Sequence, residues 1–326
     1  MSNEWLPIVA TLVLARVAAL AQVVETSNGK VEFIGLEKWT PATIQEKLGY
    51  ASPDKFHFCA ADLKERLKFA DASVTVDREN GKRYTIIAVV EPDHAQRIRY
   101  KPLPTGSIPV PDEWRGLIGF IQEGRVLNGL LDYGSTLTNA IRPKEPLMSG
   151  EDTTWWRLLQ PRQSQHDYES ALKTLEEDHD YRHRAVAAMI LTNFAHRDAA
   201  WVALMEGVRD ESAVVNTVCM QALITLAHYV PRRVDWSSAA FSVRYVLNGT
   251  NLFALPHVIE TLLKTEVESK LAGPLLKDNG GRMLLAYLRA KHEKERVLVH
   301  RLLVQLRGSD LGFDESRWDT WIASLK

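Results

Sequence analysis

Residues 178–191, DHDYRHRAVAAMIL, and residues 210–223, DESAVVNTVCMQAL, are one pattern written twice, 32 positions apart. Asp178 and Asp210 open the two copies. His183-Arg184 then corresponds to Val215-Asn216, Ala187 to Cys219, and Ile190-Leu191 to Ala222-Leu223. A fixed period of this size marks stacked helical repeats, because a single helical hairpin cannot bury its apolar face alone. Each Asp follows an apolar helix, Ala171, Leu172 and Leu175 in the first copy and Val202, Leu204, Met205 and Val208 in the second, and precedes another. The expected unit is therefore helix, polar turn, helix.

The layout Asp-x4-Val-Arg-x2-Ala-x2-Ala-Leu resembles the HEAT-repeat family. His183 stands where the first copy should have valine, and Asn216 where the second should have arginine. The resemblance implies an α-solenoid from about 112 to the end. Trp236–Leu247 with Phe253–Leu263 reads as a third hairpin, Asn248 taking the place of the turn Asp. Gly273–Asp278 with Arg282–Leu288 reads as a fourth, followed by helices at 293–306 and 315–325. Degenerate last units are expected, since the end of a stack needs a polar outer face.

Upstream the chain changes character. Val31–Leu36 reads as a strand, and Thr40-Pro41 supplies a cap and first-turn proline for a helix over 41–48 that Gly49 ends. A second helix spans 59–69. Val74 and Val76 lie on a strand that turns at Asn80-Gly81, residues that tolerate positive φ, and returns from Tyr84 to Val90. The expected fold class is thus an α+β N-terminal domain, β-α-α-β-β, over 28–101, followed by an all-α HEAT-like solenoid. This order, opened by Phe33-Ile34-Gly35-Leu36, with Leu63 and Leu67 on the second helix and Val89-Val90-Glu91 closing it, resembles the POTRA family. Such domains are extracytoplasmic and engage polypeptides, often by strand addition. Residues 102–111, within KPLPTGSIPVPD, hold all four of that stretch's prolines and predict a semi-rigid spacer between the two domains.

Residues 6–21, LPIVATLVLARVAALA, end in an Ala-x-Ala pattern and suit a secretory signal over 1–21. The alternative for that stretch is an ordinary N-terminal helix, given Glu4 before it and Arg16 inside it. The expected location is periplasmic or extracellular with the first reading and cytoplasmic with the second. The whole layout resembles exported bacterial HEAT-repeat proteins of no assigned activity.

The chain of 326 residues is 45% hydrophobic and carries 40 Lys+Arg against 41 Asp+Glu, a net charge of −1, which disfavours disorder and global affinity for nucleic acid. Its two cysteines, Cys59 and Cys219, build no disulfide framework and read as buried hydrophobes. The sequence has no Gly-x-Ser-x-Gly elbow, no phosphate loop and no dinucleotide fingerprint, and His292-Glu293 lacks the second histidine of a zinc motif. No cofactor is implied. His179 and His183, four apart, would share a helical face as a metal pair, but they span a predicted turn, where capping is the competing role.

The remaining candidates are for partners. Trp201, Trp236 and Tyr245 could anchor a protein on a concave face. Arg282, Arg289 and Arg296, with Lys291, Lys294, Arg301 and Arg307, could track phosphates over 282–307. The preferred function is a non-catalytic protein-binding scaffold, using the solenoid groove and, second, the sheet edge. The competing class is a HEAT-like base-excision hydrolase or lyase, whose resemblance would assign Trp201 with Asp198, or Trp236 with Asp235, to a damaged base.

Overall fold

In the computed structural model, residues 22–122, 158–277 and 280–325 are described. The signal-like segment 1–21 lies outside them, as do residues 123–157. A small mixed sheet of four strands is followed by a mostly helical region.

The sheet contains β1 (Gln22–Thr26), β2 (Gly29–Ile34), β3 (Asp71–Glu79) and β4 (Lys82–Val90), in the spatial order β1-β2-β4-β3. The outer pairs are antiparallel and β2 runs parallel to β4, with Val31 opposite Thr85 and Phe33 opposite Ile87. A strand-to-parallel-strand connection needs a crossover. It is supplied by α1 (Pro41–Leu48) and α2 (Ala60–Glu65) together with strand β3. Thr40 caps α1 by accepting from the Thr43 N–H, and Gly49 ends it at φ 67°. Asn80 (φ 51°) and Gly81 (φ 79°) make the turn of β3 and β4, as their tolerance of the left-handed region requires. The helix expected over 59–69 is shorter and ends at Glu65, the chain then turning through Lys68 in the left-handed region (φ 60°); a 3-10 turn at Pro53–Phe58 precedes it. The strand order gains β1, so the unit is β-β-α-α-β-β rather than β-α-α-β-β.

Strand β4 is buried on both faces, which explains why Tyr84–Val90 is almost wholly apolar. Ile87 and Val89 pack with Val31, Phe33, Ile44, Phe56 and Leu63 under α1 and α2. Tyr84, Ile86, Ala88 and Val90 belong instead to the core of the helical region. Three buried carboxylates secure the sheet. Glu32 accepts from the Lys291 and His292 N–H groups (2.6 and 3.0 Å) at a helix start, where negative charge is favoured. Asp71 accepts from the Leu252 N–H at 2.9 Å, and Glu91 gathers the N–H groups of Glu37, Lys38 and Trp39.

After α3 (Arg115–Gln122), the helices come in pairs: α4 (Gln165–Glu177) with α5 (Tyr181–Leu191), α6 (Asp198–Gly207) with α7 (Ala213–Tyr229), α8 (Ala240–Leu247) with α9 (Leu255–Lys264), and α10 (Ala272–Leu276) with α11 (Arg282–Leu288). Then come α12 (Glu293–Arg307) and α13 (Glu315–Ala323). Helices α4, α6, α8 and α10 pack in sequence as one row, and α5, α7, α9 and α12 as another. The 32-residue register is visible at the turns. Arg184 is fully buried, and its Nε and Nη2 donate to both Asp210 oxygens at 2.8 and 2.9 Å. Its Nη1 donates to the carbonyls of Asp178 and His179. Asn216 repeats only the local half of this: its Nδ2 donates to the Asp210 carbonyl at 3.1 Å.

Candidate functional site

The proline-rich segment is a strap laid over the helix turns, which replaces the expectation of a free spacer. The Arg99 N–H donates to Thr250 Oγ1 at 2.9 Å, beside the third turn. The Lys101 N–H donates to the Arg209 carbonyl at 2.7 Å, at the second. The His179 N–H donates to the Gly106 carbonyl at 2.8 Å and the Ile108 N–H to Asp178 Oδ2 at 3.2 Å, at the first. The strap therefore visits the hairpins in reverse order. Proline suits this course, because a segment already extended gives up little entropy on docking. Gly106 is required by close approach, since a Cβ there would lie 2.6 Å from the Glu177 carbonyl.

Arg209 joins strap and helices at the second turn. It is buried; its Nε donates to the Arg99 carbonyl and its Nη1 to Ser242 Oγ on α8. Its guanidinium sits 5.2 Å from the ring centre of Phe241 and 5.1 Å from that of Tyr245. These rings are one helical turn apart on α8 and meet edge to face at 4.7 Å. Phe241 is 58% exposed, so the platform is an aromatic surface fixed from behind by a buried cation.

Two concavities accompany it. One, of about 190 Å³, lies between α4 and α6 with Lys101 of the strap at its mouth. There burial pushes the Glu206 carboxyl above the usual carboxylate range; Lys101 pulls it down, Glu176 pushes it further up and Arg209 again lowers it. The other, about 490 Å³, is an open groove at the end of the sheet between the Ser27-Asn28 and Asn80-Gly81 turns. Most of its lining residues carry polar or charged groups, and it is crossed by the Lys30–Glu79 ion pair at 3.3 Å.

The residues singled out in the sequence are scattered. His183 Nδ1 lies 3.1 Å from Asp178 Oδ2, while His179 turns outward to the strap. They serve the turn and helix start, and among the described residues no group of three or more His, Cys, Asp or Glu is placed to hold a metal. Trp201 and Trp236 are fully buried, edge to face at 6.3 Å, with their indole N–H groups donating to the Ala195 carbonyl and Thr265 Oγ1. Both are core residues, which corrects their placement on a binding face and removes them from any stacking on a base. Asp198 pairs with Arg232 at 2.6 Å. Tyr245 is the one aromatic of the three that reaches the surface.

The basic run does not form a single face. Arg282 is exposed on α11. Arg289 donates to Glu315 at 2.9 and 3.1 Å, Lys294 pairs with Asp77 of β3 at 2.9 Å, and Arg296 stacks over Phe313 at 5.0 Å. Both cysteines are buried, and burial pushes the Cys59 thiol up to about 12 and the Cys219 thiol up as well. Sequence reasoning missed Arg209 and Phe241. The available signals were an arginine immediately before the second turn Asp and an aromatic pair at i, i+4 spacing.

Among the described residues no helix is long and apolar enough to cross a membrane. Comparison with family models, curated proteins and solved structures finds no match to this chain.

Proposed function

We propose that this chain is an exported, non-catalytic protein-binding scaffold built on a HEAT-like solenoid. Support for the solenoid comes from the two helix rows and from Arg184, which ties one turn to the next in the register of the sequence repeat. The POTRA-like reading of the sheet rests on its crossover and closing hairpin, with β1 as an addition. Export rests on the 6–21 segment alone.

The observation that carries the binding function is the Phe241–Tyr245 platform over Arg209. Aromatic residues dominate interface energetics because they bury much area with few side-chain torsions to fix. Here the backing cation is itself buried and hydrogen-bonded, so the rings are preorganised. The outer edge of β3 is a second surface, with Val76 exposed upon it.

The test is affinity capture from a cell-envelope extract with the wild type and with the Phe241→Ala/Tyr245→Ala double variant, alongside titration of labelled duplex DNA across salt. A protein retained by the wild type and lost by the variant is the expected result. An identical set of captured proteins overturns the platform. DNA affinity that falls steeply with salt would favour the nucleic-acid reading instead.

A further inference from the structure

The cavity between α4 and α6 has a composition that the scaffold reading does not use. Its walls are aliphatic, with Leu172 from one helix and Val202 and Ala203 from the other. Its polar rim comes from three separate elements, Lys101 on the strap, Glu176 on α4 and Glu206 on α6, while Asp210, which also lines it, is taken up by Arg184. Among the described residues, none of these three side chains has a hydrogen bond or ion pair with the protein. The Lys101 backbone is nevertheless fixed in place at the rim, because its N–H is bonded to the Arg209 carbonyl. The Glu206 carboxyl is half-buried beside Glu176, only partly offset by the charges of Lys101 and Arg209, and a ligand that brings a cation relieves it. One ammonium facing two carboxylates across an aliphatic pocket is the complement of a zwitterion with an apolar side chain.

We propose that this cavity binds a free α-amino acid with an aliphatic side chain. Its carboxylate pairs with the Lys101 ammonium, its ammonium sits between Glu206 and Glu176, and its side chain lies on Leu172 and Val202. The volume of about 190 Å³ fits this size class. It is smaller than the roughly 300–1,000 Å³ of pockets for drug-sized ligands, which disfavours larger occupants. Because the strap supplies one of the charges, the site exists only while the strap is docked.

The experiment is calorimetric titration of the full chain with L-leucine, leucinamide and N-acetyl-leucine, supported by thermal melts at about 10 mM ligand. L-Leucine should bind and raise the melting temperature, at least about tenfold more tightly than either single-charge analogue. Lys101→Met keeps the strap's backbone bond and should weaken leucine binding about tenfold, as should Glu206→Gln. Val202→Phe, which fills the cavity without touching its charges, should abolish it. Far-UV circular dichroism and the unliganded melt establish that each variant is folded. No heat and no thermal shift with leucine or valine would overturn the proposal. So would leucinamide binding as tightly as leucine, which would make this an amine site, or undiminished binding by folded Lys101→Met.

Discussion

The first and second turns of the helical region share a sequence pattern but not a mechanism of attachment. At the first, one side chain does everything: Arg184 satisfies its own turn's carbonyls and reaches the next turn's Asp210. At the second, Asn216 stands in the arginine's place and is too short for more than its own carbonyl. The link to the third hairpin is carried elsewhere, by Arg209 to Ser242 and by Asn251 Nδ2 to the Val208 carbonyl at 2.9 Å. The strap adds to this link, since it is bonded to both turns. A repeat can thus lose its connecting residue where neighbouring residues and a docked segment connect the units instead.

This contrast predicts unequal responses to truncation. Arg184→Ala leaves the Asp210 carboxylate buried with, among the described residues, only the Ser212 N–H as a hydrogen-bond partner, and should cost about 3–5 kcal/mol in denaturant unfolding, the range for removing one partner of a buried pair. A loss under about 1 kcal/mol would mean that the ladder does not hold the hairpins together. Asn216→Ala removes one side chain to backbone bond and should cost about 0.5–1.5 kcal/mol. Equal losses at the two sites would erase the distinction between the turns.

A smaller effect tests the seam between α12 and the sheet. Glu295 is buried, and its Oε2 has no hydrogen-bond partner among the described residues. Burial raises its carboxyl above the usual range; Lys294 opposes this, and Asp77 and Glu32 add to it. A carboxyl raised in the folded state stabilises the protein below its unfolded pKa and loses that contribution as pH rises through the folded one. Glu295→Gln should therefore melt higher than the wild type near neutral pH, with the gap closing as pH falls into the ordinary glutamate range. A gap that widens on acidification would contradict the assignment.

Much of this architecture could be read from the residues because local chemistry dictates it. Thr40-Pro41 and Gly49 delimit α1, Asn80-Gly81 turns the β3–β4 hairpin, and Asp178 and Asp210 mark the helix turns. Strand β1 escaped notice because it is only five residues long and follows directly on the apolar 6–21 run. Trp201 and Trp236 were misplaced because α6 and its surroundings are apolar on most sides, so spacing did not reveal which way an indole points. The strap was not legible at all. On its own side the strap is attached by backbone N–H and carbonyl groups, which carry no side-chain identity, so its residue types carried little sign of docking. The candidate site suffered most from this, since the strap brings Lys101 and the Arg99 carbonyl to Arg209 from far away in the sequence.

The claim on which the account rests is that the strap and the shared core make sheet and helices one cooperative body. Native-state hydrogen exchange on the full chain tests it directly, by comparing opening free energies of the amides in β2 and β4 with those in α5 and α7. The account predicts that the slowest amides of both regions open together, in a single global event. Sheet amides that exchange through a separate opening of clearly lower free energy, while α5 and α7 stay protected, would contradict it.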